Sequence, residues 1–306
     1  MVAIGDCGLM LEPQQGMSVQ EIIDWGAYAE RHGYGYIFRS DHLLPTSGNM
    51  DRDSVECWVT LGALAASTKR IKFGPMVTPI GFRNPALLAQ MACNLHSYSK
   101  GRMLLGVGAG WYKKEYLAKG YEFPELHVRH EQLIEALKII KPLLEGKPVN
   151  FRGQHYVADT VCYPYPRKGA HLILGGGSSF VRRAAMKYAD ELNLFDGDPA
   201  DFKQLKQQLS ESGRRIVISR AGLFFLAKTT DQLRRKLKTK SDLLKTWNLP
   251  ASIEGLMKRK VLCGDVDEFT SQLNELRKAG VDRFYFDLFD PKDQEMVDLL
   301  TYTLKD

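Results

Sequence analysis

Asp41 and His42 form the adjacent pair of side chains in this sequence that is best suited to move a proton. The pair closely follows an apolar run of strand length, residues 34–39. An imidazole titrates near neutral pH, and a neighbouring carboxylate can accept a hydrogen bond from its ring N–H. A histidine that only supports the structure is the alternative interpretation. The position at a strand end favours catalysis, with Asp41 and His42 as candidates.

Three successive glycines are the second feature with chemical meaning. Gly175, Gly176 and Gly177 are followed by Ser178 and Ser179, between a strand-like run and a helix that begins near residue 178. Glycines let the backbone approach a ligand closely, and the free N–H groups of a helix's first turn suit a phosphate. A tight turn that binds nothing is the alternative. We favour the phosphate site.

A further glycine-rich run, Gly106-Val-Gly108-Ala109-Gly110, ends another strand-like segment. It does not match the G-x-G-x-x-G dinucleotide motif, because Trp111 stands where a match that starts at Gly106 needs glycine. Two interpretations stay open. The segment is either a strand end kept bare for a flat ring or a simple bend at the rim of a barrel.

Eight apolar runs of strand length alternate with helix-period segments along the chain. They cover residues 2–11, 34–39, 71–78, 102–108, 171–174, 192–195, 216–227 and 283–289. Most are continuously apolar, which is typical of parallel strands buried on both faces. Eight strands that are each followed by a helix predict an α/β fold, a (β/α)8 TIM barrel, whose working residues cluster at the carboxyl ends of the strands.

The helix boundaries carry recognisable signals. Ser18 with Glu21, and Asp265 with Glu268, have the spacing of capping boxes. Asn84-Pro85 predicts a third helix start, and Asp290-Pro291 predicts the start of the last helix. Gly33 and Gly280 stand where helices end.

Two segments are longer than ordinary connections between barrel elements. Residues 111–170, after the fourth strand, contain a helix over residues 127–144 and then a small hairpin and loop. Residues 228–262, after the seventh strand, form a helical insertion with a basic run. That run predicts a solvated helix face, with contact to an anionic cofactor tail as the alternative. Long additions of this kind usually build or cover the mouth of a barrel. We predict a single domain over residues 1–306.

Composition limits the classes of function. The 306 residues include 42 Lys and Arg against 36 Asp and Glu, so the net charge of +6 is mild, and the charges are interleaved. We therefore expect no nucleic-acid partner. The five scattered cysteines favour neither a disulfide framework nor a metal site. The sequence shows no signal peptide and no apolar stretch long enough to span a membrane, so we expect a cytoplasmic protein.

Several motifs, taken together and in order, resemble the luciferase-like family of flavin- and deazaflavin-dependent enzymes. They are SDHLLP at 40–45, VTPIGFRNPALLAQ at 77–90, GRMLLGVGAGWYKKEY at 101–116, LILGGGSS at 172–179, AAMKYADELNLF at 184–195 and EFTSQLNELRKAGVDRFYFDL at 268–288. The chain looks most similar to the branch that uses coenzyme F420. The resemblance implies an oxidoreductase that transfers hydride between this deazaflavin and a small organic molecule, and it implies a homodimer.

The resemblance also assigns roles to residues. Asp41 and His42 would lie at the deazaflavin ring, with His42 as proton donor or acceptor. A cis peptide bond between Met76 and Val77 would support the ring. Contacts to the cofactor are implied for Thr78, Gly108, Ala109 and Gly110 at the ring and for Gly176, Gly177, Ser178 and Ser179 at the phosphate, beside Gly175.

Two departures from the family pattern bear on the substrate. Thr46 and Trp111 stand where the F420-dependent glucose-6-phosphate dehydrogenases carry a tryptophan and a glutamate, which argues against glucose 6-phosphate. Glu115, one helical turn further along, could supply a carboxylate but is not among the predicted site residues. Two alternatives remain open, an FMN-dependent monooxygenase and a flavin- or deazaflavin-binding protein without catalytic activity.

Overall fold

The computed structural model describes residues 2–166, 169–288 and 290–305. The strands are β1 (Cys7–Leu11), β2 (Tyr36–Arg39), β3 (Lys72–Pro75), β4 (Thr78–Pro79), β5 (Leu104–Gly108), β6 (Val149–Arg152), β7 (Val157–Thr160), β8 (His171–Gly175), β9 (Glu191–Phe195), β10 (Val217–Leu226), β11 (Leu262–Gly264) and β12 (Arg283–Asp287). The helices are α1 (Val19–His32), α2 (Cys57–Ser67), α3 (Pro85–Tyr98), α4 (Lys113–Ala118), α5 (Leu126–Leu144), α6 (Ser179–Tyr188), α7 (Pro199–Ser210), α8 (Thr230–Thr239), α9 (Ser241–Thr246), α10 (Ile253–Lys258), α11 (Val266–Ala279) and α12 (Gln294–Thr303).

The predicted parallel barrel is confirmed. The sheet runs in the order β3-β2-β1-β12-β10-β9-β8-β5-β4, with parallel pairing throughout this path. The predicted third strand is divided into β3, which pairs with β2, and β4, which pairs with β5. A bridge between Phe73 and Met103 joins the two ends of the path. The last residue of the predicted eighth strand, 289, lies outside the described residues.

Apolar side chains fill the barrel on both sides of its wall. Between the strands and the surrounding helices lies the larger buried cluster. Inside the barrel a smaller cluster includes Met10, Phe38, Met76, Ile173 and Tyr285. This double burial explains why the strand sequences are continuously apolar instead of alternating.

A polar network closes the amino end of the barrel. The buried carboxylate of Glu191 accepts hydrogen bonds from Tyr285 Oη at 2.7 Å and His171 Nε2 at 3.0 Å. It also pairs with the guanidinium of Arg283. All of these contacts lie at or near the first residues of their strands, at the end of the barrel opposite the carboxyl ends where working residues cluster.

The helix signals were correct at most positions. Both capping boxes form, and Gly33 and Gly280 end their helices with φ of 93° and 114°. The prediction that Asp290-Pro291 opens the last helix was wrong. Asp290 accepts instead from the backbone N–H of Lys292, which makes a local turn, and α12 begins at Gln294.

Different kinds of contact hold the two insertions in place. In residues 111–170 the predicted hairpin forms as β6 and β7, and Glu135 of α5 fixes it by accepting three backbone N–H bonds. In residues 228–262 the basic run is partly neutralised, since Lys236 and Lys240 both pair with Asp293. Residues 167 and 168 lie outside the described residues. None of the helices in the described ranges has the length and apolar character that a membrane crossing needs.

Candidate active site

A cavity of about 760 Å³ opens at the carboxyl ends of the barrel strands. Its wall is built from the ends of β1, β2, β5, β8, β9 and β12, together with the segment between β3 and β4. The second insertion covers part of it through Thr246, Trp247 and Asn248. This volume is typical of sites for small organic ligands.

Most of the predicted site residues meet in this cavity. Asp41, His42, Met76 and Val77 line it, as do residues 108–110 and 175–177. The peptide bond between Met76 and Val77 is cis.

Three predicted residues lie elsewhere. Thr78 is fully buried and is not part of the cavity wall. Ser178 caps α6, where its hydroxyl accepts from the N–H of Val181, and Ser179 follows as an exposed residue of the first turn. These serines lie just beyond the glycines at the cavity rim.

The hydrogen-bond partner of His42 is Glu115, which sequence reasoning did not select. His42 Nδ1 donates to the carboxylate of Glu115 at 3.0 and 3.1 Å. The same carboxylate accepts from the backbone N–H of Leu43 at 2.9 Å, and it is only 1% exposed. The bond fixes the orientation of the ring and leaves Nε2 as the nitrogen available to a ligand.

The expectation that Asp41 would hydrogen-bond its neighbour's ring was wrong. The carboxylate of Asp41 accepts from Thr78 Oγ1 at 2.8 Å and from Arg83 Nη1 at 2.7 Å. Trp58 Nε1 in turn donates to Thr78 Oγ1 at 3.3 Å. The side chains of adjacent residues in extended backbone point in opposite directions, so one of them meets Arg83 and the other Glu115.

The surroundings of His42 favour its charged form. Burial by itself lowers the pKa of this imidazole, but the hydrogen bond and charge of Glu115 outweigh it, with smaller effects from Glu12 and Asp41. The net result is a pKa raised above the usual value. His42 can therefore hold a proton on Nε2 near neutral pH and release it to a bound molecule.

The glycines of β5 and β8 make room for a side chain of the protein. A Cβ placed on Gly108 or on Gly175 would lie 2.9 Å from a methyl group of Val77, and one on Gly106 would lie 3.0 Å from it. Such contacts are closer than side chains tolerate. The structure thus gives the bare strand end a role that neither sequence interpretation contained, which is to seat Val77 against the cavity floor.

The start of α6 has the features of an anion site. Gly176 has a φ of 130°, which is strained for any residue with a side chain. The helix begins directly after this turn, and Arg182 Nε donates to the carbonyl of Gly177 at 3.0 Å, which places a cation beside the glycines. A helix N-terminus and a guanidinium together suit the phosphate of a cofactor tail, so the residues present fit that group.

Acidic residues at other strand ends were overlooked in the sequence. Glu12 follows β1, Asp196 follows β9 and Asp287 ends β12, and the first and last of these line the cavity. The rule that selected Asp41 and His42, a polar side chain at the carboxyl end of a barrel strand, applies equally to them. Glu115 carries no such signal, because it lies on α4 beyond the strand end.

A family model described as luciferase-like monooxygenase matches residues 3–283. An F420-dependent glucose-6-phosphate dehydrogenase from Microbacterium testaceum is 33% identical over 204 residues, which cover 63% of this chain and 60% of that protein. An F420-dependent hydroxymycolic acid dehydrogenase from Mycobacterium tuberculosis is 31% identical over 185 residues, which cover 60% of this chain and 51% of that protein. The chain thus spans less than two thirds of the length of these relatives.

Solved structures share the fold at lower identity. An F420-dependent secondary alcohol dehydrogenase in complex with an F420-acetone adduct superposes with a TM-score of 0.82 and 21% identity, and the match covers 98% of this chain and 99% of that one. The coenzyme F420-dependent tetrahydromethanopterin reductase of Methanopyrus kandleri gives a TM-score of 0.77 at 20% identity, with coverage of 99% and 98%. At these identities the likeness concerns the fold.

The seat of Val77 can be tested by substitution. We expect Gly175→Ala to lower the thermal unfolding midpoint, because its Cβ would press on the Val77 methyl groups, and we expect Val77→Ala in the same chain to recover part of the loss. Gly177→Ala is the matched control, since its Cβ would meet only Leu194, at 3.9 Å. Equal effects of the two glycine substitutions would contradict this packing.

The pKa of His42 provides a second prediction. Glu115→Gln keeps a hydrogen-bonding side chain but removes the charge, so the pKa of His42 should fall. Because the folded-state pKa of His42 is raised, the pair stabilises the fold at pH values below the unfolded pKa, and this contribution disappears as the pH rises through the folded pKa. Imidazole NMR titration of both proteins measures the shift. A His42 titration curve that Glu115→Gln leaves unmoved would rule out this pairing.

Proposed function

The chain belongs to the luciferase-like monooxygenase family, and we propose that it is an oxidoreductase that binds coenzyme F420 and transfers hydride between this deazaflavin and a small organic substrate. The observation that carries the proposal is the arrangement at the barrel mouth. A histidine paired with a buried glutamate lines the same cavity as a glycine turn that leads into a helix N-terminus. Relatives that are named F420-dependent dehydrogenases support the choice of cofactor.

We assign the binding of the cofactor to two regions. Gly177, Ser178 and Ser179 would hold the phosphate with backbone N–H groups and hydroxyls. Gly175 and Gly176 would lie beside the phosphate, since the N–H of Gly176 already donates to the carbonyl of Asn193 at 3.0 Å. The cavity wall formed by Met76, Val77, Gly108, Ala109 and Gly110 would hold the ring. When bound, the deazaflavin supplies the hydride chemistry, and the protein supplies orientation and exclusion of water.

Within the chain, His42 carries the proton. Its Nδ1 is occupied by Glu115, so Nε2 is the atom that gives a proton to a substrate oxygen or takes one from it. The raised pKa keeps the ring able to do either near neutrality.

Asp41 and Thr78 act one step away from the substrate. Both oxygens of the Asp41 carboxylate point to Arg83, and one also accepts from Thr78. This bonding fixes the backbone from which His42 projects. Asp41 is therefore a positioning residue in the proposal, and the catalytic role falls to His42 alone.

Titration of the purified protein with F420 and with FMN tests the choice of cofactor. We expect F420 to quench the fluorescence of the protein at a lower concentration than FMN does. Ser179→Asp should weaken F420 binding by repelling its phosphate while favouring the start of α6, whereas the phosphate-free deazaflavin chromophore should bind as before. Ser179→Asn is the uncharged control.

The outcomes separate the alternatives. Tighter binding of FMN would replace the proposal by the monooxygenase alternative. Tight F420 binding without turnover on any substrate would favour a binding protein. If Ser179→Asp weakened the binding of F420 and of the phosphate-free chromophore to the same degree, the proposed phosphate site at α6 would be wrong.

Turnover should depend strongly on His42. We expect His42→Ala to reduce turnover by about 10²–10⁴-fold, the usual contribution of a positioned acid or base. The F420 dissociation constant should stay close to that of the wild type, because the imidazole serves the substrate. Stopped-flow absorbance of the bound deazaflavin measures both quantities. If His42→Ala turns over at the wild-type rate, another group moves the proton.

A homodimer and a cytoplasmic location complete the proposal as predictions from the family resemblance. The outer faces of α2 and α3 support the first, since Val59 and Leu87 are 70% and 55% exposed there. Exposed apolar side chains of this kind are available to a second copy of the chain.

A further inference from the structure

Asp287 is a buried carboxyl group in the cavity wall that the proposed mechanism does not use. It ends β12 and pairs in register with Met10 of β1, which also lines the cavity. Its exposure is 0%, and neither carboxyl oxygen has a hydrogen-bond partner among the described residues. Buried polar groups without partners are rare, and each one needs an explanation.

The charges that act on Asp287 are of its own sign. Burial raises the pKa of Asp287 well above the usual value, and the nearby carboxyls of Glu12 and Asp196 raise it further. The arginine of this region, Arg220, is directed to Asp196 and to the carbonyl of Lys260. An isolated buried carboxylate is far less stable than the neutral acid, so burial and the two neighbouring carboxyls favour the protonated form of Asp287.

Glu12 is different, although it lies in the same wall. Gln14 donates to its carboxylate, and Ser40 Oγ donates to Gln14 Oε1 at 2.7 Å. These bonds satisfy Glu12 from within the protein. Asp287 has no equivalent chain of partners in the described part of the molecule, so its hydrogen-bonding capacity is unused. A molecule in the cavity takes it up when the neighbouring wall side chains move aside from the buried oxygens.

The charge of the cavity wall indicates which molecules would enter. Among the described residues that line it are the acids Glu12, Asp41 and Asp287 and the imidazole of His42, with no lysine or arginine. A phosphate or carboxylate inside the cavity would find no guanidinium or ammonium group among these lining residues, because Arg83 is already paired with Asp41. The imidazole of His42 is the one cationic partner that this set of residues offers, and it is already paired with Glu115. The interior therefore disfavours anionic substrates, whereas the rim at α6 does not.

We infer that Asp287 is a substrate-binding residue, which as a carboxylic acid donates a hydrogen bond to the carbonyl or hydroxyl oxygen of an uncharged substrate. The inference rests on the proposed function, because it places the substrate in the cavity that also holds the deazaflavin. A protonated carboxyl has one donor and a free acceptor, so it serves a ketone and the corresponding alcohol equally well. It deepens the proposed function by naming neutral carbonyl and hydroxyl compounds as the substrate class.

The first test needs no cofactor. Infrared spectra of the cofactor-free protein at neutral pH should show the carbonyl band of a protonated carboxylic acid, sensitive to deuterium exchange. Asp287→Asn should remove this band. Glu275→Gln, a substitution of an exposed carboxylate on α11, should leave it in place. A wild-type spectrum that lacks the band would overturn the inference.

The second test uses cyclohexanone with a ¹³C-labelled carbonyl as the probe, added to the F420-loaded protein. In the wild type the ketone band should move to lower frequency, as expected of a hydrogen-bonded carbonyl. Asp287→Ala should abolish that movement and weaken cyclohexanone binding by about tenfold, the effect of one lost hydrogen bond. Asp287→Asn keeps a neutral N–H donor, so it should retain most of the binding.

Three results would contradict the inference. In the first, the frequency of the ketone band and the affinity for cyclohexanone are the same in Asp287→Ala as in the wild type. In the second, the substitution weakens the binding of F420 and leaves that of cyclohexanone unchanged. In the third, glucose 6-phosphate binds the wild type more tightly than cyclohexanone does. Failure of the proposed function looks different, because F420 would then not bind, while the carboxylic acid band of the cofactor-free protein would still be present.

Discussion

The packing of Val77 against glycines of two neighbouring strands sets the shape of the cavity. β3 and β4 form one side of the barrel and pair with different neighbours, and Val77 lies where the pairing changes. Its methyl groups occupy the space in which Gly108 and Gly175 would otherwise carry a Cβ. The Glu191 network occupies the amino end of the barrel, and the Val77 contact forms part of the floor of the cavity at the carboxyl ends. The chemical groups at the mouth all project above that floor.

The acidic side chains near the cavity floor differ in their partners, and the partner of each one defines its role. The charge of Asp41 is balanced by Arg83, that of Glu115 by His42, and that of Asp196 by Arg220. Burial raises the pKa of Asp196 to about 6 even so, with Arg220 opposing the rise. Asp287 has no hydrogen-bond partner among the described residues, and burial raises its pKa well above the usual value, which favours the neutral acid. In the proposed function, the ion pair of Asp41 with Arg83 positions the backbone, His42 in its pair with Glu115 transfers a proton, and Asp287 as a neutral acid donates a hydrogen bond. One kind of side chain thus serves three purposes, according to what surrounds it.

The sequence was sufficient for the fold because local signals and burial agree. Seven apolar runs each identified one strand of the barrel path, and the run over residues 71–78 covered β3 and the first residue of β4. Cap residues such as Ser18 and Asp265 gave helix starts that the structure confirms. Site residues could be predicted from the sequence only where their function follows from their position at the end of a strand, as for His42. Glu115, the partner of His42, could not be predicted in this way. The two residues are 73 positions apart in the sequence, and their contact depends on the orientation of α4 relative to the barrel. Val77 was among the predicted site residues, but its packing against the glycines was not foreseen, for a related reason. The glycines of β5 and β8 contact the same side chain only because the sheet closes into a barrel. No single segment of the sequence shows this contact.

The separation of charge across the mouth has a consequence for how a ligand must lie. The rim at α6 offers a helix N-terminus and Arg182, while the interior offers carboxyl groups and one imidazole. A molecule with an anionic end is stabilised only if that end stays at α6, so its uncharged part is directed into the barrel. His42 lines the same interior wall and presents the nitrogen that Glu115 leaves free. In the proposed function, this arrangement would orient an elongated ligand with its anionic end at α6, and it would leave the remaining space to uncharged molecules.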